Sequence, residues 1–230
     1  MCLRQDFSHV RKSAEAYLRA ARHAAKPGAP SNAISTGHHP SNPLVSLPKQ
    51  SKPSRRPDPI ILLSPSASSL LRMSNIKSFL NEGQYVPPDS SSASATTNIL
   101  HISRMLPAID ANRPLRFILV DSPEQFKPDY WSRVVAVFTT GQAWQFKSYK
   151  WSTAQELFNH VLGIYVGWRG DEPPESIKAW GRAIATVPVE KWRGEGVSRW
   201  RDREVVESLW GRIEESMRNS GWGSGGPDAR

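Results

Sequence analysis

At 230 residues, with 38% hydrophobic and 22% charged positions, the chain can support one domain of ordinary size and leave room for a disordered arm. The formal charge of +9 is unevenly placed: residues 1–59 hold ten Lys or Arg against three Asp or Glu, whereas residues 60–230 hold 20 against 18. Cys2 is the only cysteine, which excludes an internal disulfide and a zinc site built on several thiolates, and no apolar stretch approaches the roughly twenty residues that cross a bilayer.

The N-terminus lacks the apolar run of a secretory signal, so the chain reads as soluble and intracellular. Residues 11–23 have the composition of a short helix with few apolar residues. From Ala25 to Pro59 the chain turns to Pro, Ser, Asn and Lys, too polar to bury the surface that ordering requires. Residues 1–58 are therefore expected to be a basic, disordered arm. Its cluster Lys49, Lys52, Arg55 and Arg56 fits a nuclear import signal or a solvated charge run. At Ile60 to Leu63 a continuous apolar run predicts a strand buried on both faces. Asn75 is the expected N-cap of a helix with Ile76, Phe79 and Leu80 on one face and Gly83 at its end. Pro87 to Asn98 reads as a Ser-rich loop.

Further strands are predicted at Leu115 to Val120, Val134 to Phe138 and Ile164 to Trp168. Between the last two, Thr153 and Glu156 form a capping box, and Leu157, Phe158, Val161 and Leu162 follow at helical spacing up to Gly163, which predicts a helix over 153–162. Another helix is expected over about 174–185, with Pro173 and Pro174 in its first turn. Val206, Leu209, Trp210, Ile213 and Met217 make one stripe of a last helix over about 199–217. Trp200 and Trp210 are assigned to its core face, Trp144 and Phe146 to the core as well, and residues 219–230 to a Gly-rich disordered tail. Alternating strands and helices imply a mainly parallel sheet covered on both faces.

Chemistry is sparse along this chain. The loop after the first strand, Ser64 to Ser69, contains neither Gly nor Lys, so it lacks the backbone cradle and the cation of a phosphate loop. Gly221 to Gly226 has no strand before it and is not a dinucleotide turn. None of His9, His23, His38, His39, His101 and His160 stands at a metal-binding spacing, and no nucleophile elbow is present. No enzyme activity, metal or cofactor is expected. All nine tryptophans fall after residue 130, which core packing or a base-stacking surface beside basic residues would explain.

The segment RRPDPIILLSPSASSLLRMSNIKSFL at 55–80 resembles the opening of the parafibromin C-terminal domain, and RVVAVFTTGQAWQFK at 133–147, followed by Trp151, is similar to its strand, glycine turn and Trp-Gln-Phe-Lys signature. Asp202, Arg203, Val205, Trp210 and Met217 stand at the family's spacing in the last helix. The resemblance implies a three-layer, Ras-like α/β domain over 59–218 without a functional nucleotide site. It further implies a fungal-type component of the RNA polymerase II-associated factor (PAF) complex in the nucleus. Such a protein supports transcription elongation and co-transcriptional histone modification, and contacts other PAF subunits and phosphorylated tails of the polymerase or its elongation factor. A small nucleic-acid-binding protein using the basic arm is the alternative reading.

Open α/β sheets bind ligands outside the carboxyl ends of their strands. Parallel strands at 134–138 and 164–168 would bring Lys147, Lys150 and Arg169 toward one such edge, where they suit a phosphorylated peptide. These three are the expected partner-binding residues.

Overall fold

The structure, a computed structural model, describes residues 57–88, 98–194 and 198–223. The expected arm and import cluster lie outside these residues, apart from the arm's last two positions. Six strands, β1 (Ile60–Leu62), β2 (Ile99–Leu106), β3 (Asp110–Val120), β4 (Val134–Thr139), β5 (Leu162–Trp168) and β6 (Ile184–Val189), form one sheet in the order β2-β3-β1-β4-β5-β6. β2 (Ile99–Leu106) and β3 (Asp110–Val120) are antiparallel, and every other neighbouring pair is parallel.

β1 (Ile60–Leu62) lies near the centre of the sheet, between β3 and β4 (Val134–Thr139). The strand period of two divides its apolar run between two cores. Ile61 and Leu63 enter the core beneath the last helix, and Ile60 and Leu62 enter the core on the opposite face. A continuous apolar sequence is what such two-sided burial demands.

The last helix, here α3 (Trp200–Asn219), covers the first face through Val206, Leu209, Trp210, Ile213 and Met217, all buried. Truncating one of these large side chains, as in Leu209→Ala, removes about 2–5 kcal/mol. Trp210 also donates its indole Nε1 to the Leu80 carbonyl at 3.0 Å, joining the helix to a π-helical turn at Ser78–Glu82. On the second face lie α1 (Ala154–Leu157), α2 (Glu175–Trp180) and the 3-10 turns Pro128–Arg133 and Ala143–Phe146. The result is the expected three-layer α/β fold with a mainly parallel sheet.

Several local expectations change. The helix predicted over 153–162 stops after one turn: Thr153 Oγ1 accepts from the Glu156 amide at 3.3 Å as a cap should, but β5 (Leu162–Trp168) already begins at Leu162. Phe158 and Val161 remain buried, so the helical spacing marks a compact turn packed against the sheet. Gly163 lies within β5 and terminates nothing; a Cβ there would collide with Ile184 and Phe158. The helix expected to 185 ends at Trp180; Gly181–Ala183 form a 3-10 turn, and Ile184 and Ala185 open β6 (Ile184–Val189). β6 pairs only with β5, and an edge strand tolerates Pro188.

Asn75 is not a conventional N-cap. It accepts from the Arg72 amide at 2.8 Å and donates to the carbonyls of Leu70 and Val86 at 2.9 and 2.7 Å, cross-linking two loops. Beyond the last helix, Gly221 takes a left-handed φ of 81° and the Trp222 amide donates to Met217 O at 3.0 Å. This closing motif buries Trp222, so the core reaches past residue 218. Two tryptophans leave the core to which they were assigned: Trp144 is 49% exposed and Trp200 64%. Phe146 and Trp210 are buried as expected.

Candidate partner-binding site at the strand ends

The loop Ser64 to Ser69 leaves the carboxyl end of β1 at the position where the sheet changes winding direction, a usual ligand-binding crevice in this architecture. Its polar groups face one another. The amides of Ser66 and Ser68 each approach a serine Oγ of the same loop at 3.3 Å, from Ser64 and Ser66 respectively. Ser64 and Ser66 in turn donate to the side chains of Gln145 and Gln142 at 3.3 and 3.0 Å.

Gln145 is buried, and its Nε2 donates to the Phe138 carbonyl at 2.7 Å and to the Tyr149 hydroxyl at 3.3 Å. Burial pushes the Tyr149 phenol above its ordinary value of 10.0, opposed by its hydrogen bond with Gln145. The amides of Ser66 and Ser68 thus already face neutral side chains, and the guanidinium nearest in sequence, that of Arg72, donates to the Ala67 carbonyl of the loop.

The three expected partner-binding residues do not form one cluster. Arg169 follows β5 at its carboxyl end, and its amide donates to Val189 O at 2.7 Å. Lys147 follows the 3-10 turn that Gln145 fastens to the end of β4. By Lys150 the chain has crossed the face of the sheet. Its Nζ lies 4.8 Å from the centroid of the Trp151 ring, which packs on Trp131 and stacks 4.3 Å from His160. Trp131 and His160 immediately precede β4 and β5, so Lys150 sits at the amino end of the sheet and Arg169 at the other. The connection from β4 to β5 must return to the starting edge, and the eleven residues from 140 to 150 carry the chain most of that way.

Arg169 has companions that strand-end reasoning did not supply. Glu190 leaves β6 beside it, and Glu190 Oε1 accepts from Arg169 Nε at 2.7 Å and from Arg201 Nη1 at 3.3 Å. Lys191 and Asp171 pair at 2.8 Å alongside. Beneath them, Arg199 and Asp202 form a buried ion pair, with side chains only 5% and 1% exposed. Arg199 Nε donates to Asp202 Oδ2 at 2.5 Å and Nη2 to the Glu190 carbonyl at 2.8 Å, while the Tyr85 amide donates to the same Oδ2 at 2.9 Å. The Arg199 guanidinium also lies over the rings of Tyr85 and Trp192 at 5.4 and 5.5 Å. Glu190 and Arg201 are 11 residues apart in the chain, and only the fold brings both to Arg169.

Sheet order, layering and the helix over the first face define a Ras-like α/β domain with serines and glutamines where a phosphate loop would stand. The family described as RNA pol II accessory factor, Cdc73 family, C-terminal, matches residues 55–216. The chain belongs to that family. It is 48% identical over 168 residues to cell division control protein 73 of Schizosaccharomyces pombe, covering 72% of this chain and 43% of that protein. The protein of the same name from Saccharomyces cerevisiae is 38% identical over 187 residues, covering 81% of this chain and 45% of that protein. Among solved structures, the conserved domain of yeast Cdc73 superposes with a TM-score of 0.64 at 40% identity, covering 72% of this chain and 99% of that one. The match therefore spans less than half the length of these two relatives.

Proposed function

We propose that this chain is a non-enzymatic interaction module of the PAF complex in the nucleus, supporting RNA polymerase II elongation and co-transcriptional histone modification. Its contacts are with other PAF subunits and with phosphorylated tails of the polymerase or its elongation factor. Family membership carries this reading. The strand ends support it: β1 ends in a neutral hydroxyl network, while the exposed Arg169 guanidinium stands at the end of β5, ready for charge-assisted contact with a phosphate. Lys147 and Lys150 are both exposed; Lys147 follows the turn fastened to the end of β4 and adds positive charge there, while Lys150 stands at the opposite end of the sheet.

The test compares a serine-phosphorylated polymerase-tail peptide with its unphosphorylated twin, measured against the full chain and a Lys147→Glu, Lys150→Glu, Arg169→Glu variant. The chain should prefer the phosphorylated form and the variant should lose that preference. Unchanged discrimination in a variant that melts normally places the site elsewhere. A second reading, single-stranded nucleic acid, is favoured by the basic residues 1–59 and the exposed indoles of Trp144 and Trp200. Binding of that kind weakens steeply with salt, without dependence on peptide phosphorylation.

A further inference from the structure

Glu190 holds two guanidiniums on one carboxylate oxygen, an arrangement that carries one negative charge for two positive ones. The three side chains are 31% to 55% exposed, so the contacts are screened and individually weak. Arg201 also lies 5.0 Å from the centroid of the Trp200 ring, the most exposed large apolar side chain among the described residues. All of these groups stand on a rigid base. The buried Arg199–Asp202 pair fixes the first turn of α3 to the chain leaving β6, so the backbone positions of Glu190, Trp200 and Arg201 are set before any partner arrives.

A phosphate monoester carries about −1.5 to −2 charges near neutral pH and three acceptor oxygens, against one charge and two oxygens for a carboxylate. Guanidinium groups bind it in bidentate fashion. Between Arg169 and Arg201 it would outcompete Glu190, which is on the surface and can turn to solvent.

We infer that the carboxyl ends of β5 and β6, with the first turn of α3, form a docking surface for an extended phosphorylated peptide. The phosphate takes the place of Glu190 between Arg169 and Arg201, and the residue beside it packs on the Trp200 indole. This rests on the proposed reading of the chain as a reader of phosphorylated tails. It adds the second guanidinium, the aromatic platform and the role of Glu190 as an internal competitor that keeps the surface closed to weaker anions.

The experiment measures binding of the phosphorylated polymerase-tail peptide and its unphosphorylated twin to the full chain. Arg201→Ala should weaken the phosphorylated peptide about tenfold and leave the twin unchanged. Glu190→Gln should strengthen the phosphorylated peptide by about threefold to tenfold, because the competing charge is gone while the side chain keeps its size. Trp200→Ala should weaken both forms alike. A purely structural role for the cluster predicts no gain from Glu190→Gln, so that gain is the decisive readout. If the chain prefers the phosphorylated peptide but neither Arg201→Ala nor Glu190→Gln alters that preference, the surface is wrongly assigned and the proposed function stands. If the chain does not distinguish the two peptides, the proposed function falls and takes this inference with it. A single-stranded oligonucleotide whose binding is lost in Arg201→Ala and Trp200→Ala, with no peptide discrimination, assigns the surface to nucleic acid instead.

Discussion

At the carboxyl end of β1 the amides of Ser66 and Ser68 face serine hydroxyls, and those hydroxyls face glutamines. At the carboxyl ends of β5 and β6 two guanidiniums share a single carboxylate oxygen. Both edges occupy positions where an α/β sheet commonly binds ligands. At the first, serine and glutamine side chains bond to one another and the Arg72 guanidinium is taken up by the Ala67 carbonyl, so an incoming anion gains little for the hydrogen bonds it must displace. The second has cations in excess and is partly exposed, so an anion gains charge-assisted bonds at small cost. The proposed docking surface would thus lie at the strand end where cations are in excess, and not at the end where hydroxyls and amides already bond to one another.

The largest expected effect comes from undermining the second edge. Asp202→Ala leaves the buried Arg199 without its carboxylate and should cost about 3–5 kcal/mol. On a thermal melt of a domain this size that is a fall of about 10 °C. An unchanged melting temperature would show that Arg199 reaches solvent without its partner.

Gln145→Ala tests the first edge by removing a buried amide bonded to Ser64, Phe138 and Tyr149. It should cost about 1–3 kcal/mol by denaturant titration and leave phosphopeptide affinity untouched. Loss of that affinity would join the two edges into one site.

Tyr149 supplies a pH test of the same network. Its folded-state pKa is raised, mainly by burial, as are those of Tyr85 and Tyr165, so above pH 10 the unfolded chain releases protons that the folded chain retains. Stability should be complete below pH 10 and fall as pH rises through that value, and Tyr149→Phe should make the decline shallower. Arg201→Ala, by contrast, should change stability by less than about 1 kcal/mol, because its ion pair is exposed, and its effect should appear in binding. The smallest signal is expected from calorimetry with GTP and magnesium, which should give no binding heat. Micromolar binding would restore the first edge as a nucleotide site.

The sequence made the inner strands plain because burial on both faces leaves Ile60 to Leu63 and Val134 to Phe138 no polar position. β2 was hidden for the opposite reason: as an edge strand it exposes Ile99, His101, Ser103 and Met105, so its apolar residues do not form a run. Helical spacing at 157–162 misled because Leu157, Phe158 and Val161 are buried through a turn and a strand entry. The position of Arg169 at the carboxyl end of β5 is legible from the strand pattern. Glu190 and Arg201 are not, since the helix expected over about 174–185 overlaps only the first two residues of β6, the strand itself is not foreseen, and nothing local ties residue 201 to residue 169. Trp200 was misplaced because it opens the helix ten residues before Trp210, a separation that rotates it off the buried stripe.

Vectorial synthesis gives α3 a further significance. A ribosome delivers all six strands before residue 200, and the second face can close on α1 and α2 while the chain is still growing. The first face has no comparable cover until Val206, Leu209, Trp210, Ile213 and Met217 emerge, followed by Trp222. Until then that face is covered only in part, by Leu71, Ile76, Phe79, Leu80 and Tyr85 from the segment after β1. A chain ended by a premature stop near residue 199 would keep that side open permanently, making it a client of chaperones and proteases in place of a smaller working domain.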